Sequence, residues 1–267
     1  MIESLDLTEL DLLQITPTQL KELILTVLSQ DFDPDEHYAY NRNHNDAATA
    51  YISDQCYGNK ADMKVGDRTL REVGCGIVAI HNAIYFATGR NVSLPDIIYC
   101  CENNGYVWGL PVSDETIAAV RLLLDYMETV FPGEQAWVDD IEDKVDLFEQ
   151  NQLNKVAGCG VNPNYVSTIL QRMGPVSSTK YTSATSFLTA VNNAVGKENK
   201  GFILVVWNDA SVTGGAHYIF FRTSKDSDKI IGYNDGSDIS SNATYQDVVD
   251  RLGTRNREFY AAYEIDE

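Results

Sequence analysis

The chain has no C-x-x-C pair, no H-E-x-x-H, no G-x-x-x-x-G-K and no G-x-G-x-x-G. Those absences remove the usual sequence frameworks for zinc, for phosphate cradling and for dinucleotide binding, so neither a metal nor a cofactor is expected. Basic residues are scarce: 20 Lys and Arg stand against 39 Asp and Glu, a formal net charge of −19. Such an acidic surface repels phosphate backbones and anionic lipid, which argues against nucleic-acid and membrane-surface roles. No apolar run approaches the roughly 18 residues of a membrane-spanning helix. The start, Met1-Ile2-Glu3-Ser4-Leu5-Asp6, has no basic n-region and no cleavable apolar stretch, so it does not read as a signal peptide. Cysteines are few and odd in number: Cys56, Cys75, Cys100, Cys101 and Cys159. A chain of this length needs no disulfide staples, and reduced thiols in a cytoplasm are the expected reading. No internal repeat and no low-complexity linker is visible.

What is present is an ordinary globular composition. At 267 residues and 44% apolar content, the chain can build one large domain or two small ones around a sizeable core. Residues 1 to 15 are acidic and leucine-rich and read as a docking arm. Thr16-Pro17-Thr18-Gln19 carries a capping box with proline at the first helical position. Leu20, Leu23, Ile24, Val27 and Leu28 then form one apolar face. That stripe is expected to dock on the chain's own body or on a protein partner. Asp31 to Asn45 is polar. His37 and His44 lie there near Asp33, Asp35 and Asp46, at a spacing that matches no ligand motif, so a solvated loop is expected.

Further helices open at Ser93-Leu94-Pro95-Asp96, at Ser113-Asp114-Glu115 and at Asn162-Pro163, with a short acidic helix near Asp139 to Gln150 and another over 183 to 195. In the Ser93 helix, Cys101 falls on the apolar face, which makes Cys100 and Cys101 packing residues rather than chemistry. From Val176 onward the pattern turns to strands: Phe202 to Trp207, Tyr218 to Phe221, Lys229 to Tyr233 and Glu258 to Tyr263, with a helix over Thr244 to Leu252. Helices first and an antiparallel sheet afterwards describe an α+β fold.

The chemistry gathers at Glu72-Val73-Gly74-Cys75-Gly76-Ile77. Ile77, Ile80 and Ile84 recur at helical spacing, so Cys75 falls at the start of a helix. Free N–H groups and the positive dipole end there favour a thiolate. The flanking glycines are expected to allow a sharp turn and to leave room beside the sulfur. Downstream, Gly215-Ala216-His217-Tyr218 puts a histidine at the start of a strand, and Tyr233-Asn234-Asp235-Gly236 ends the next one. If those strands pair, His217 and Asp235 share one end of the sheet. A cysteine nucleophile needs a base, and the base needs an orienting acceptor. Taken singly, the three stretches read equally as a packed cysteine, a core histidine and a plain turn. In this order and topology they favour a triad.

Gly74-Cys75-Gly76 opening an apolar helix with Asn82-Ala83, the Gly-x-His-Tyr strand and the Tyr-Asn-Asp strand end resemble papain-like cysteine peptidases. The branch resembled most is the bacteriocin-processing peptidases that cut after double-glycine leaders, together with related peptidase-like domains. The resemblance spans about Tyr57 to Tyr263. It implies a papain-like fold, helical in its N-terminal half, with Cys75 as nucleophile, His217 as base and Asp235 as orienter. On this reading residues 1–56 are an N-terminal helical extension, 57–267 the peptidase domain, and 111–156 a helical insertion. One position departs from the family. A glutamine usually stands about six residues before the cysteine to hold the oxyanion; here that place is Thr69, with Gln55 and Asn59 upstream as substitutes. The implied activity is hydrolysis of a peptide or isopeptide bond in a peptide or protein substrate. The alternatives are a papain-fold amidase, a transglutaminase-like or toxin enzyme, and an inactive binding module.

Overall fold

A computed structural model describes residues 15–29, 32–45, 50–56, 58–108, 112–153, 160–207, 216–232, 243–253 and 258–267. In chain order its elements are helices α1 (Pro17–Ser29) and α2 (Pro34–Asn43), strands β1 (Lys64–Val65) and β2 (Arg68–Thr69), and helices α3 (Leu70–Val73), α4 (Cys75–Thr88) and α5 (Leu94–Asn103). There follow β3 (Val107–Trp108), α6 (Asp114–Val130), α7 (Gln135–Leu153), β4 (Gly160–Val161), α8 (Val166–Met173), β5 (Ser178–Tyr181) and α9 (Ala184–Ala194). The chain closes with β6 (Lys200–Trp207), β7 (Ala216–Ser224), β8 (Ser227–Gly232), α10 (Tyr245–Gly253) and β9 (Phe259–Asp266). The fold is α+β, and the sheet in the C-terminal half is antiparallel. Among the described residues no helix is long and apolar enough to cross a membrane.

Two compact units divide the chain: Met1–Asp33 with Val112–Glu149, and Pro34–Pro111 with Gln150–Glu267. The first is helical. Its α1 is capped as the sequence reads: the Thr16 N–H donates to Gln19 Oε1 at 3.0 Å, and the Gln19 N–H donates to Thr16 Oγ1 at 3.3 Å. Leu20, Ile24 and Val27 are buried, and α1 packs on α6. Ser113 caps α6 by accepting the Thr116 N–H. Val130, the last residue of that helix, is 43% exposed. Truncating a buried isoleucine to alanine in a closed helix interface costs about 2–5 kcal/mol when the site does not collapse. Ile24→Ala is therefore expected to lower the urea midpoint of this unit, read by far-UV circular dichroism. An unchanged midpoint would mean that the stripe is not what anchors α1.

These boundaries differ from those expected. The units do not coincide with a 56/57 division: α2 belongs to the second unit, and α1 packs on α6, a helix within 111–156. The region Asp31 to Asn45, expected as a solvated loop, contains α2. Its sequence has no apolar stripe to betray it, and polar bonds hold it. The buried Asn41 accepts the Lys64 N–H at 2.7 Å and donates to the Lys64 carbonyl at 2.9 Å. Tyr38 donates to Asp96 at 2.8 Å, and His37 Nδ1 lies 3.1 Å from Glu102 Oε1. Asp35 and Glu36 in the first turn and Arg42 in the last also suit the helix dipole.

The second unit is built on the sheet, in the order β5-β9-β6-β7-β8. Strand β5, which the sequence reading missed, pairs with β9 at the edge. Helix α4 packs on one face, against β6 and β7. It is buried at every residue from Cys75 to Ile84. Gly201 on β6 permits this approach, since a Cβ there would stand 2.8 Å from Phe86 Cδ1. On the other face Phe187 and Val191 of α9 and Val248 of α10 join Phe202, Leu204, Ile219 and Phe221 in one apolar cluster. Buried on both sides, β6 reads as a continuous apolar run rather than an alternating one.

Candidate active site

Cys75 is the first residue of α4, and Gly74 caps it. Neither flanking glycine is there for a left-handed turn or for open space, as the sequence suggested. Gly74 has φ −80°. A Cβ on Gly74 would lie 2.4 Å from the Leu70 carbonyl oxygen, and one on Gly76 would lie 2.9 Å from Val161 Cβ. Both are required by close approach: α3 presses on the helix start from one side and β4 from the other.

The thiol is almost enclosed, at 7% residual exposure, and Sγ lies 3.9 Å from the Ala216 carbonyl oxygen. The next residue along β7 is His217. Its strand is fixed by the β6 pairing, in register Val206 to His217 and Val205 to Tyr218. Burial alone pushes the Cys75 thiol up. The hydrogen bond and charge of the His217 imidazole, then the backbone N–H groups of Tyr218 and Gly76, outweigh it, and the thiol sits below its ordinary value. Burial without such partners does the opposite elsewhere: it pushes Cys100 up, and Cys101 well up. The structure thus brings Cys75 and His217 together from positions far apart in the chain.

Strand β4 and the residues just after it brace this arrangement. The Tyr218 hydroxyl donates to the Val161 carbonyl at 2.5 Å, and the buried Tyr263 hydroxyl donates to the Pro163 carbonyl. The Asn162 N–H donates to the Tyr106 carbonyl at 2.8 Å. Sequence reasoning assigned Tyr218 no role of its own. Its only signal was its place beside His217, because its acceptor lies on a two-residue strand 57 positions away.

No family model matches the chain, and neither a curated protein nor a solved structure does.

The remaining candidates divide. Asp235 lies outside the described residues, as do Asn234 and Cys159. Thr69 donates its hydroxyl to Glu72 Oε2 at 3.0 Å, and Glu72 also accepts the Thr69 N–H at 3.0 Å. Thr69 thus caps α3, and its side chain is committed to that task. Those two Thr69 bonds hold the Glu72 carboxyl below its usual range. The Gln55 Nε2 donates to the Arg71 carbonyl at 3.3 Å. Asn59 is exposed and begins a turn of 3-10 helix over Asn59–Asp62. The segment carrying Gln55 is tied to α4 itself, since the buried Asn82 accepts the Ile52 N–H at 2.9 Å and donates to its carbonyl at 2.8 Å. Thr69 and Gln55 both bond to the short helix that leads into Cys75, Thr69 at its first turn and Gln55 at the Arg71 carbonyl. His37 is spent on Glu102, and His44 bonds the Tyr40 carbonyl and stacks on its ring.

Proposed function

We propose that this chain is a thiol peptidase of the papain-like kind, cutting a peptide or isopeptide bond with Cys75 as nucleophile and His217 as base. One observation carries the proposal: a cysteine on the first residue of a buried helix has its thiol brought below the ordinary value by a histidine from a neighbouring strand. Packing cysteines show the reverse shift, and a nucleophile needs this one. His217 accepts the Cys75 proton, and the thiolate adds to the substrate carbonyl. The oxyanion is held by the N–H groups at the start of α4, with the Gln55 amide as the side-chain donor. The tetrahedral adduct collapses, His217 returns the proton to the leaving amine, and a thioester remains. Water, deprotonated by His217, then releases the acid and restores the thiol. Asp235 is assigned the orienting role from its place in the sequence. A transferase would share the first half of this cycle and replace the water with another nucleophile.

Iodoacetamide separates the enzyme readings from an inactive binding module. Alkylation follows the thiolate, so at and below neutral pH Cys75 is expected to label ahead of Cys100, with the sites mapped by mass spectrometry. Cys75→Ala is expected to abolish hydrolysis of a peptide library while the melting temperature changes little. Faster labelling at Cys56, Cys100 or Cys159 would sink the assignment.

A further inference from the structure

We infer that Tyr218 is a positioning residue for the Cys75–His217 pair, its hydroxyl locking the strand that carries His217 against the helix that carries Cys75. The inference rests on the reading of those two residues as nucleophile and base. Tyr218 follows His217 on β7, and its own backbone N–H is one of the donors to the Cys75 sulfur. Its side chain is buried. The Val161 carbonyl that it bonds belongs to β4, and the Val161 side chain rests on Gly76. The Tyr218 ring completes the contact: its Cδ2 lies 3.4 Å from where a Gly76 Cβ would stand. Three elements, β7, β4 and α4, therefore meet at one residue on either side of the catalytic pair. Sliding β7 along α4 would strand a buried hydroxyl and a buried carbonyl without partners, which is costly in a dry interior. Burial also pushes the Tyr218 hydroxyl well up, so it remains a donor throughout the working range. Pairing with β6 sets the register of β7, and the bond to the Val161 carbonyl holds its His217 end against α4, which governs how far the imidazole stands from the sulfur.

Tyr263 supplies the comparison. It makes the same kind of bond to the same segment, at Pro163, but from β9, which does not carry His217. The test is the pH profile of Cys75 alkylation by iodoacetamide in the full chain, alongside thermal melts. Tyr218→Phe is expected to move the alkylation midpoint upward and to slow labelling below neutral pH by about fivefold, the scale of one buried hydrogen bond. Tyr263→Phe is expected to lower the melting temperature similarly and to leave the midpoint in place. Equal melting losses with both midpoints unmoved overturn the inference, and so does an equal shift in both variants. If Tyr218→Phe does not fold, Val161→Ala loosens the same junction while keeping the acceptor carbonyl. An upward shift there supports the role, and an unmoved midpoint refutes it. Failure of the underlying reading looks different: wild-type Cys75 would titrate as an ordinary thiol and His217→Ala would not change it. That result removes the pair and the positioning role with it.

Discussion

Replacing His217 with alanine is expected to raise the alkylation midpoint of Cys75 and, on the proposed peptidase reading, to cut turnover by about 10²–10⁴-fold, the range attributed to a positioned general acid–base. The direction follows from the balance at the sulfur. Burial is the largest single influence and acts upward; the histidine's hydrogen bond and then its charge are the next two and act downward. Without the imidazole, the Tyr218 and Gly76 N–H groups still oppose burial, each a smaller contribution than either of the histidine's. Stopped-flow alkylation across pH reads the midpoint directly, and circular dichroism confirms that β7 still pairs. A midpoint that stays low in His217→Ala would mean that the helix N-terminus alone holds the thiolate and that His217 is not the base.

The same shift predicts a stability signature. A thiol whose folded value lies below its unfolded one stabilises the fold above the unfolded value, and that stability is lost as pH falls through the folded value. The stability gap between wild type and Cys75→Ala should therefore widen in favour of wild type as pH rises from the lowered thiol value toward the ordinary one. Urea midpoints measured across that window check it; a gap that narrows over the same interval contradicts the lowered thiol.

The sequence carried much of this arrangement in local signals. The caps at Thr16, Ser93 and Ser113 form as their spacing indicates, because each needs only a side chain and an N–H three residues on. Cys75 at a helix start was legible from a glycine pair and the apolar run behind it. Helix α2 was not, since Asn41, Tyr38 and His37 hold it through partners 23 to 65 residues distant. Strand β5 escaped for a related reason: Ser-Thr-Lys-Tyr is short and polar, and only its pairing with β9 makes it a strand. The role of Gly76 was misread for want of its partner. Its neighbours Val161 and Tyr218 lie far along the chain, and no local pattern distinguishes a glycine that turns from a glycine that is overlaid.

That distinction has a large consequence at Gly74. Alanine there is expected to destabilise the fold by about 3 kcal/mol, the upper end for overpacking a closed site, and to raise the Cys75 alkylation midpoint. The new methyl would stand 2.4 Å from the Leu70 carbonyl oxygen and 2.5 Å from its Cγ and Cδ1. Leu70 cannot simply rotate away. It is buried, and its carbonyl accepts the Gly74 N–H at 2.8 Å, so the backbone joining α3 to α4 must move and carry Cys75 with it. Helix propensity acts in the opposite direction, but by only about 1 kcal/mol for glycine to alanine. The clash therefore decides the sign. Gly133 provides the control: a Cβ there meets nothing within 4 Å. Gly133→Ala is expected to be neutral or to stabilise by about 0.4–1 kcal/mol through the unfolded state. Urea titrations of the two variants measure the contrast. Equal and small effects would show that the Cys75 helix start tolerates a side chain, and would remove close packing as the reason for the glycine before Cys75.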